Sequence, residues 1–193
     1  MKRLFDILLS GIGLILSAPL WIIFTILIKK GDQGPVFYSQ YRVGKNAKIF
    51  NVLKFRSMVP DAERNTGAVW ATENDPRVTP IGKIIRATAM DELPQLWNIF
   101  RGDMSFVGPR AERPELVEDF AKKIQGYMKR FSVTPGLTGI AQVYGRYDTP
   151  PQHKLKYDLL YIKKRSLCLD MKLIVLSFWI TFKGKWESRE KKV

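Results

Sequence analysis

Residues 7–28 contain no charged side chain and are mostly apolar, the longest such run in the chain. As a helix rising 1.5 Å per residue, that span of about 22 positions covers a hydrocarbon core of roughly 30 Å. It is too long for the apolar core of a typical signal peptide, and Ser17, Ala18 and Pro19 make a poor cleavage site, so it is expected to be retained. Pro19 sits mid-run, where its missing N–H and its ring oppose the preceding helical turn. Basic residues flank both ends, Lys2 and Arg3 before, Lys29 and Lys30 after. Basic flanks favour the cytoplasmic side. Two readings follow: a spanning helix with a proline kink, or a helix that enters, bends at Ser17, Ala18 and Pro19, and returns.

Beyond the run, Gly31, Gly34 and Pro35 mark a turn. Residues 36–41 and 48–56 have the composition of short strands joined through 43–46 as a hairpin. On a strand over 48–56, Lys54 and Arg56 share one face, which predicts a wet basic side opposite a buried side of Ile49, Leu53 and Phe55. Residues 57–80, with Pro60, Gly67, Pro76 and Pro80, predict a long loop, a form that often carries function. Leu93, Leu96, Trp97 and Phe100 form a one-sided helical stripe ended by Gly102. Pro114 opens a helix expected to run to about Arg130. Gly136, Gly139 and Gly145 then punctuate an irregular stretch, and residues 152–164 are expected to be helical. Residues 171–182 are strongly apolar yet too short to span, and Lys183, Lys185, Arg189, Lys191 and Lys192 follow. They fit either an interfacial helix facing anionic headgroups or a core helix with a basic tail. The whole predicts an α+β chain, mainly helical.

Length and charge narrow the picture. The 193 residues suit one domain, or one small domain with an anchor. The single cysteine, Cys168, excludes an intrachain disulfide framework. A net charge of +14 predicts anionic partners: nucleic acid, anionic lipid or phosphorylated substrates.

Against that basic background Asp91 and Glu92 stand side by side. Adjacent helical positions diverge by about 100°, so the two carboxylates need not play the same part. Thr88 is a candidate N-cap with Asp91 in the capping-box position, which is one reading of the acid. An ionised carboxylate can equally attack phosphorus or hold Mg²⁺. Lys54, Arg56 and Arg86 precede the pair, and Arg110 follows in a turn containing Gly108 and Pro109. Guanidinium groups suit bidentate capture of phosphate.

The blocks KFRSM (54–58), MDELPQLWN (90–98), GDMSFVGPR (102–110) and TPGLTGIAQV (134–143) occur in order, and the chain resembles the bacterial sugar transferase family over residues 2–183. That resemblance implies a monotopic phosphoglycosyl transferase moving a sugar phosphate from a UDP-sugar onto polyprenyl phosphate. It implies a re-entrant helix-break-helix over residues 1–30 and a cytoplasmic catalytic domain over 31–193 with interfacial amphipathic helices. The location implied is the cytoplasmic face of the bacterial inner membrane, in contact with anionic lipid. The family bend carries Ser-Pro; here Ala18 precedes Pro19 and Ser17 lies one place early. The resemblance implies Asp91 as nucleophile and Mg²⁺ ligand, Glu92 as its assistant, and Lys54, Arg86 and Arg110 as phosphate-binding or acid-positioning groups; Arg56 joins the phosphate-binding candidates by its place beside Lys54 on the strand. A family Pro-Arg-Pro element linked to uridine recognition reads Pro109, Arg110, Ala111 here. Residues 57–80 and 144–152 are the candidate specificity loops, and a homo-oligomer is compatible with the sequence. Asp158 and Arg146 fall in matching blocks without an assigned role. Two rival classes stay open: a membrane-anchored basic nucleic-acid-binding module, which would need a recognised motif that is absent, and a Mg²⁺-dependent phosphohydrolase, which differs only in its acceptor.

Overall fold

The computed structural model describes residues 1–64, 67, 69, 72, 75–146 and 148–184. The apolar run forms one helix, α1 (Lys2–Asp32), ended by Gln33 in the left-handed region. The helix is continuous through Ser17, Ala18 and Pro19, where the sequence suggested a break. Proline removes the helical donor of only one carbonyl, that of Ile15. Nearby, the Trp21 indole donates to Ser17 Oγ at 3.1 Å, tying the turn that follows the proline to the turn before it.

One stripe of α1, through Asp6, Ser10, Ser17 and Ile28, is buried against the rest of the chain. Gly13 lies in the same seam, where a side chain would press on Leu96. The opposite stripe exposes Leu4, Leu8, Ile15, Leu16, Ile22 and Ile26. Both ends are fastened. At the start, Arg3 donates to the carbonyls of Ile99 and Phe100 (2.6 Å each), Lys2 pairs with Asp170 (2.6 Å), and Asp6 accepts from Ser105 Oγ (3.1 Å) and the Phe106 amide (3.2 Å). At the finish, Asp32 takes the Arg56 guanidinium in a two-pronged pair.

Strands β1 (Phe37–Val43) and β2 (Ile49–Phe55) form the expected antiparallel hairpin. The expected division of its faces is not what the structure shows. Ile49 is exposed, whereas Val52, on the side of Lys54, is buried against α3 (Gln95–Arg101). The hairpin is covered on the Lys54 side because α3 lies there, held by Asn98, which donates to the Asn51 carbonyl (2.7 Å) and accepts from the Leu53 amide (2.9 Å). Helix α2 (Pro80–Ala87) starts where Thr79 caps the Gly82 amide and Pro80 supplies a preset first turn.

A second, parallel sheet pairs β3 (Ser105–Val107) with β4 (Gly136–Thr138) in the stretch read from sequence as irregular. Three-residue strands leave too few positions for alternation to be visible. Helix α4 (Pro114–Lys123) opens at Pro114 as expected but stops well short of Arg130. The chain turns at Gly126 (φ 76°) into a 3-10 turn, Tyr127–Ser132. Helices α5 (Ile140–Tyr144), α6 (Pro151–Lys164) and α7 (Leu167–Phe182) complete the order. In helix α7, Leu173, Ile174 and Ile180 are core, as one expected reading has it, while Val175, Phe178 and Phe182 are exposed. Lys185, Arg189, Lys191 and Lys192 lie outside the described residues.

Among the described residues, helix α1 contributes to three of the four apolar clusters: Phe5 and Leu9 to one, Leu14 to a second, Trp21, Phe24 and Ile28 to a third. The third is aromatic, with Phe55 edge-on to Trp21 and Phe24 and stacked on Phe37.

The short parallel sheet yields a test. A Cβ on Gly136 would overlap the Gly108 backbone it pairs beside. Gly136→Ala is expected to cost about 1–3 kcal/mol, read as a lowered thermal midpoint in detergent.

Candidate active site

The acidic pair sits in a sharp corner. Helix α2 ends at Ala87, and Thr88 closes it, donating its hydroxyl to the Ile84 carbonyl at 2.9 Å. Thr88 therefore caps the helix behind it and not one ahead, so the capping-box reading of Asp91 does not hold. Ala89 then takes the left-handed region (φ 54°), and Met90–Glu92 form a 3-10 turn leading to α3. Divergence at this turn separates the two acids: Asp91 lines a cavity of about 1010 Å³, and Glu92 is buried behind it.

Two cations from different elements meet Glu92. Lys54, on β2, donates to its Oε1 at 2.7 Å, and Arg110 donates to the same oxygen at 3.0 Å. Lys54 also lies 3.6 Å from Asp91 Oδ2. Burial pushes the Glu92 carboxyl upward, but Lys54 and Arg110 together outweigh it and hold it below its usual range. Glu92 Oε2 is buried and, among the described residues, has no hydrogen-bond partner. A cavity-facing Asp91 beside an unsatisfied carboxylate oxygen fits Mg²⁺, which habitually takes one or two carboxylates and completes its shell with water and substrate phosphate. No group of three or more His, Cys, Asp or Glu gathers at one point among the described residues, so a metal there would rely on that small ligand set.

Arg86 and Arg110 line the same cavity as Asp91 and Lys54, so four of the expected site residues come together. Arg56 also borders the cavity, but its guanidinium is committed to Asp32 and the Pro35 carbonyl, with its side chain only 6% exposed. Its work is to fasten the end of α1 to β2. Pro109 is buried and absent from the cavity wall; its carbonyl accepts from the Gly136 amide at 2.9 Å. Ser17, Ala18 and Pro19 are on α1, away from the cavity wall.

The loop expected over 57–80 does border the cavity through Ser57, Met58 and Arg64. Met58 bridges Val78, Asp75 pairs with Arg77 (2.6 Å), and Glu63 pairs with Arg113 at the start of α4. Residues 65, 66, 68, 70, 71, 73 and 74 of that loop, and 147 of the second candidate loop, lie outside the described residues. Sequence reading missed Arg42 and Arg130, which also reach the cavity. Nothing local distinguishes them from the many other cations of the chain. Asp158 is placed: it pairs with Arg130 at 2.8 Å, both side chains 2% exposed. Arg146, by contrast, is exposed and pairs with Asp148.

The family model described as Bacterial sugar transferase matches residues 1–184. A UDP-glucose:undecaprenyl-phosphate glucose-1-phosphate transferase of Klebsiella pneumoniae is 44% identical over 188 residues, which are 95% of this chain and 40% of that protein. A putative undecaprenyl-phosphate N-acetylgalactosaminyl 1-phosphate transferase of Bacillus subtilis is 51% identical over 129 residues, 67% of this chain and 72% of that protein. Exopolysaccharide production protein ExoY of Rhizobium meliloti is 37% identical over 187 residues, covering 90% and 81%. The chain thus spans less than half the length of some curated relatives and most of the length of others.

Two outcomes follow from the charge geometry. Glu92 has a lowered folded-state pKa, so the stability it contributes is present above its ordinary value of 4.5 and is lost as pH falls below it. The unfolding free energies of wild type and Glu92→Gln should therefore differ most near pH 7 and converge as pH falls from 4.5 toward about 2; a difference that grows on acidification contradicts the ion-pair geometry. Arg56→Lys should lower the thermal midpoint by a few degrees, because the fork to Asp32 is lost. Affinity for a ligand in the cavity should change within about twofold, since the guanidinium is committed to Asp32 and the Pro35 carbonyl.

Proposed function

Because the chain belongs to the bacterial sugar transferase family, we propose that it transfers a sugar 1-phosphate from a UDP-sugar to polyprenyl phosphate. The observation that carries the reading is the split of the acidic pair: Asp91 on the cavity wall, Glu92 behind it and neutralised by Lys54 and Arg110. Asp91 is the group with access to a bound diphosphate. In this reading one of its oxygens bonds to the sugar-linked phosphorus, the bond from that phosphorus to the bridging oxygen breaks, and UMP leaves. The acyl phosphate so formed is attacked at the same phosphorus by an oxygen of polyprenyl phosphate. The Asp91 carboxylate departs, leaving the polyprenyl diphosphate sugar.

Lys54, Arg86 and Arg110 bring positive charge to the transferring phosphoryl group, the main requirement of such chemistry. Asp91 and Glu92 are the residues that would hold Mg²⁺, which when bound neutralises diphosphate charge. Glu92 is a weak base in its paired state, and an alkyl phosphate loses its second proton near pH 6. We therefore assign Glu92 to holding Lys54 and Arg110 in place and not to deprotonating the acceptor. Inward-facing cations suit a small phosphorylated ligand better than the surface stripe of a nucleic-acid module.

The same reading places α1 in a membrane. The helix is long and apolar enough to cross one. Its two ends, however, are fastened to one packed body, and Lys2, Arg3, Lys29 and Lys30 favour a single, cytoplasmic side. The exposed stripe of α1 and the exposed Val175, Phe178 and Phe182 of α7 are the surfaces offered to lipid. A lipid-borne acceptor would then meet a cavity carried by the same body. The sugar is not assigned, since the similar proteins named above include a glucose 1-phosphate and an N-acetylgalactosaminyl 1-phosphate transferase.

The test is UMP release from a panel of UDP-sugars with detergent-solubilised protein, Mg²⁺ and polyprenyl phosphate. Release from one donor is expected to need the lipid, to stop with EDTA, and to fall about a thousandfold or more in Asp91→Asn. Sugar phosphate released without lipid would point to the phosphohydrolase, and full activity in Asp91→Asn would remove the nucleophile.

A further inference from the structure

Residues 109–112 carry four successive backbone carbonyls, and they accept from three different elements: β4, the 3-10 turn Tyr127–Ser132 and β1. Pro109 O takes the Gly136 amide of β4 (2.9 Å), and Glu112 O takes the Val43 amide of β1 (2.9 Å). Between them, Arg110 O takes the guanidinium of Arg130 (3.0 Å), and Ala111 O takes that of Arg42 (3.0 Å). The segment is not helical and, over these residues, not in a sheet, so its carbonyls would ordinarily find water or short-range partners. Here two buried or near-buried guanidinium groups supply them instead.

Arg130 is unusual in its commitments. Its Nε and Nη2 reach Asp158, its Nη1 donates to the Tyr127 hydroxyl (2.6 Å), and Nη2 also reaches Arg110 O. It lies against the rings of Tyr127 and Phe131, 5.1 and 5.6 Å from their centroids. A buried ion pair of this kind is weakly stabilising at best, because desolvation offsets the attraction. What it does achieve is a fixed guanidinium plane, pointed at one backbone carbonyl. That carbonyl belongs to the residue whose side chain holds Glu92.

We infer that Arg130, oriented by Asp158, and Arg42 are positioning residues that fix the backbone of Arg110 so that its guanidinium stays on Glu92 beside the cavity. The inference rests on the phosphate-handling role proposed for Arg110. It also gives a part to Asp158, which borders the cavity and sets the direction of Arg130. A cation at position 130 is then buried for its geometry, in a chain with ample basic residues for the surface.

Arg130→Lys is the discriminating variant. An ammonium can keep the charge pair with Asp158 but lacks the planar fork that bridges to Arg110 O. Hydrogen exchange in detergent should quicken about tenfold or more at the amides of 108 and 110–112, with α7 unchanged. Turnover should fall about 10–100-fold, as for a small misplacement of a catalytic group. In an Arg110→Ala background the same substitution should change turnover less than about threefold, because the two act as one unit. If Arg130→Lys does not fold, Arg130→Met with Asp158→Leu removes both charges together and carries the same expectations. Exchange that stays unchanged at 108–112, or rises equally across α7, overturns the clamp. So do losses that multiply in the Arg110→Ala background. A wild-type chain that releases no UMP fails the proposed function instead, and the exchange measurement still decides the clamp.

Discussion

The docking of α1 along the body governs how everything else in this chain is arranged. An apolar helix of this length could stand apart as a tether. Instead, among the described residues, its buried stripe supplies side chains to three of the four apolar clusters, and its first turn caps α3 through Arg3. Removing it would expose the aromatic cluster around Phe55 and take the Arg3 donor from the Ile99 and Phe100 carbonyls at the end of α3. Since α3 follows directly from the turn that carries Asp91 and Glu92, the membrane-facing helix and the acidic pair are two sides of one packed unit.

The charge arrangement follows the same logic at shorter range. Glu92 is buried, and a buried carboxylate stays ionised only with partners. Its partners come from β2 and from the turn at Arg110, so satisfying one acid fixes the relative positions of three segments distant in sequence. Asp91, one residue away, is turned to the cavity. The stabilising demand on Glu92 and the chemistry proposed for Asp91 are separated by the geometry of a single 3-10 turn.

Much of this was legible in the chain because the signals were local. Pro80 and Pro114 open helices, Gly102 ends one, and strand-like runs on either side of 43–46 mark the hairpin. Lys54, Arg86, Asp91 and Arg110 were identified by residue type and by resemblance, and they do converge. The misses have a common cause: tertiary partners. Arg56 reads like Lys54 in sequence, yet Asp32 claims it, because the end of α1 happens to arrive there. Thr88 reads as an N-cap until the left-handed Ala89 turns it into a C-terminal one. The expected helix from Pro114 stops early because Gly126 lets the chain turn and brings Arg130 inward. No periodicity announces a three-residue parallel strand, and none marks Arg42 or Arg130 as donors to a distant carbonyl.

The proposal that α1 belongs to one body, with both ends on the same side of the membrane, is best tested with single cysteines in a Cys168→Ser background. One cysteine is placed on a short tag ahead of Met1 and one replaces the exposed Lys30. Labelling with a membrane-impermeant maleimide is compared in right-side-out and inverted vesicles. Both positions should react only in the inverted vesicles. Reaction of the two positions in opposite vesicle types would mean that the helix crosses the bilayer, and would contradict the packing of both helix ends against one body.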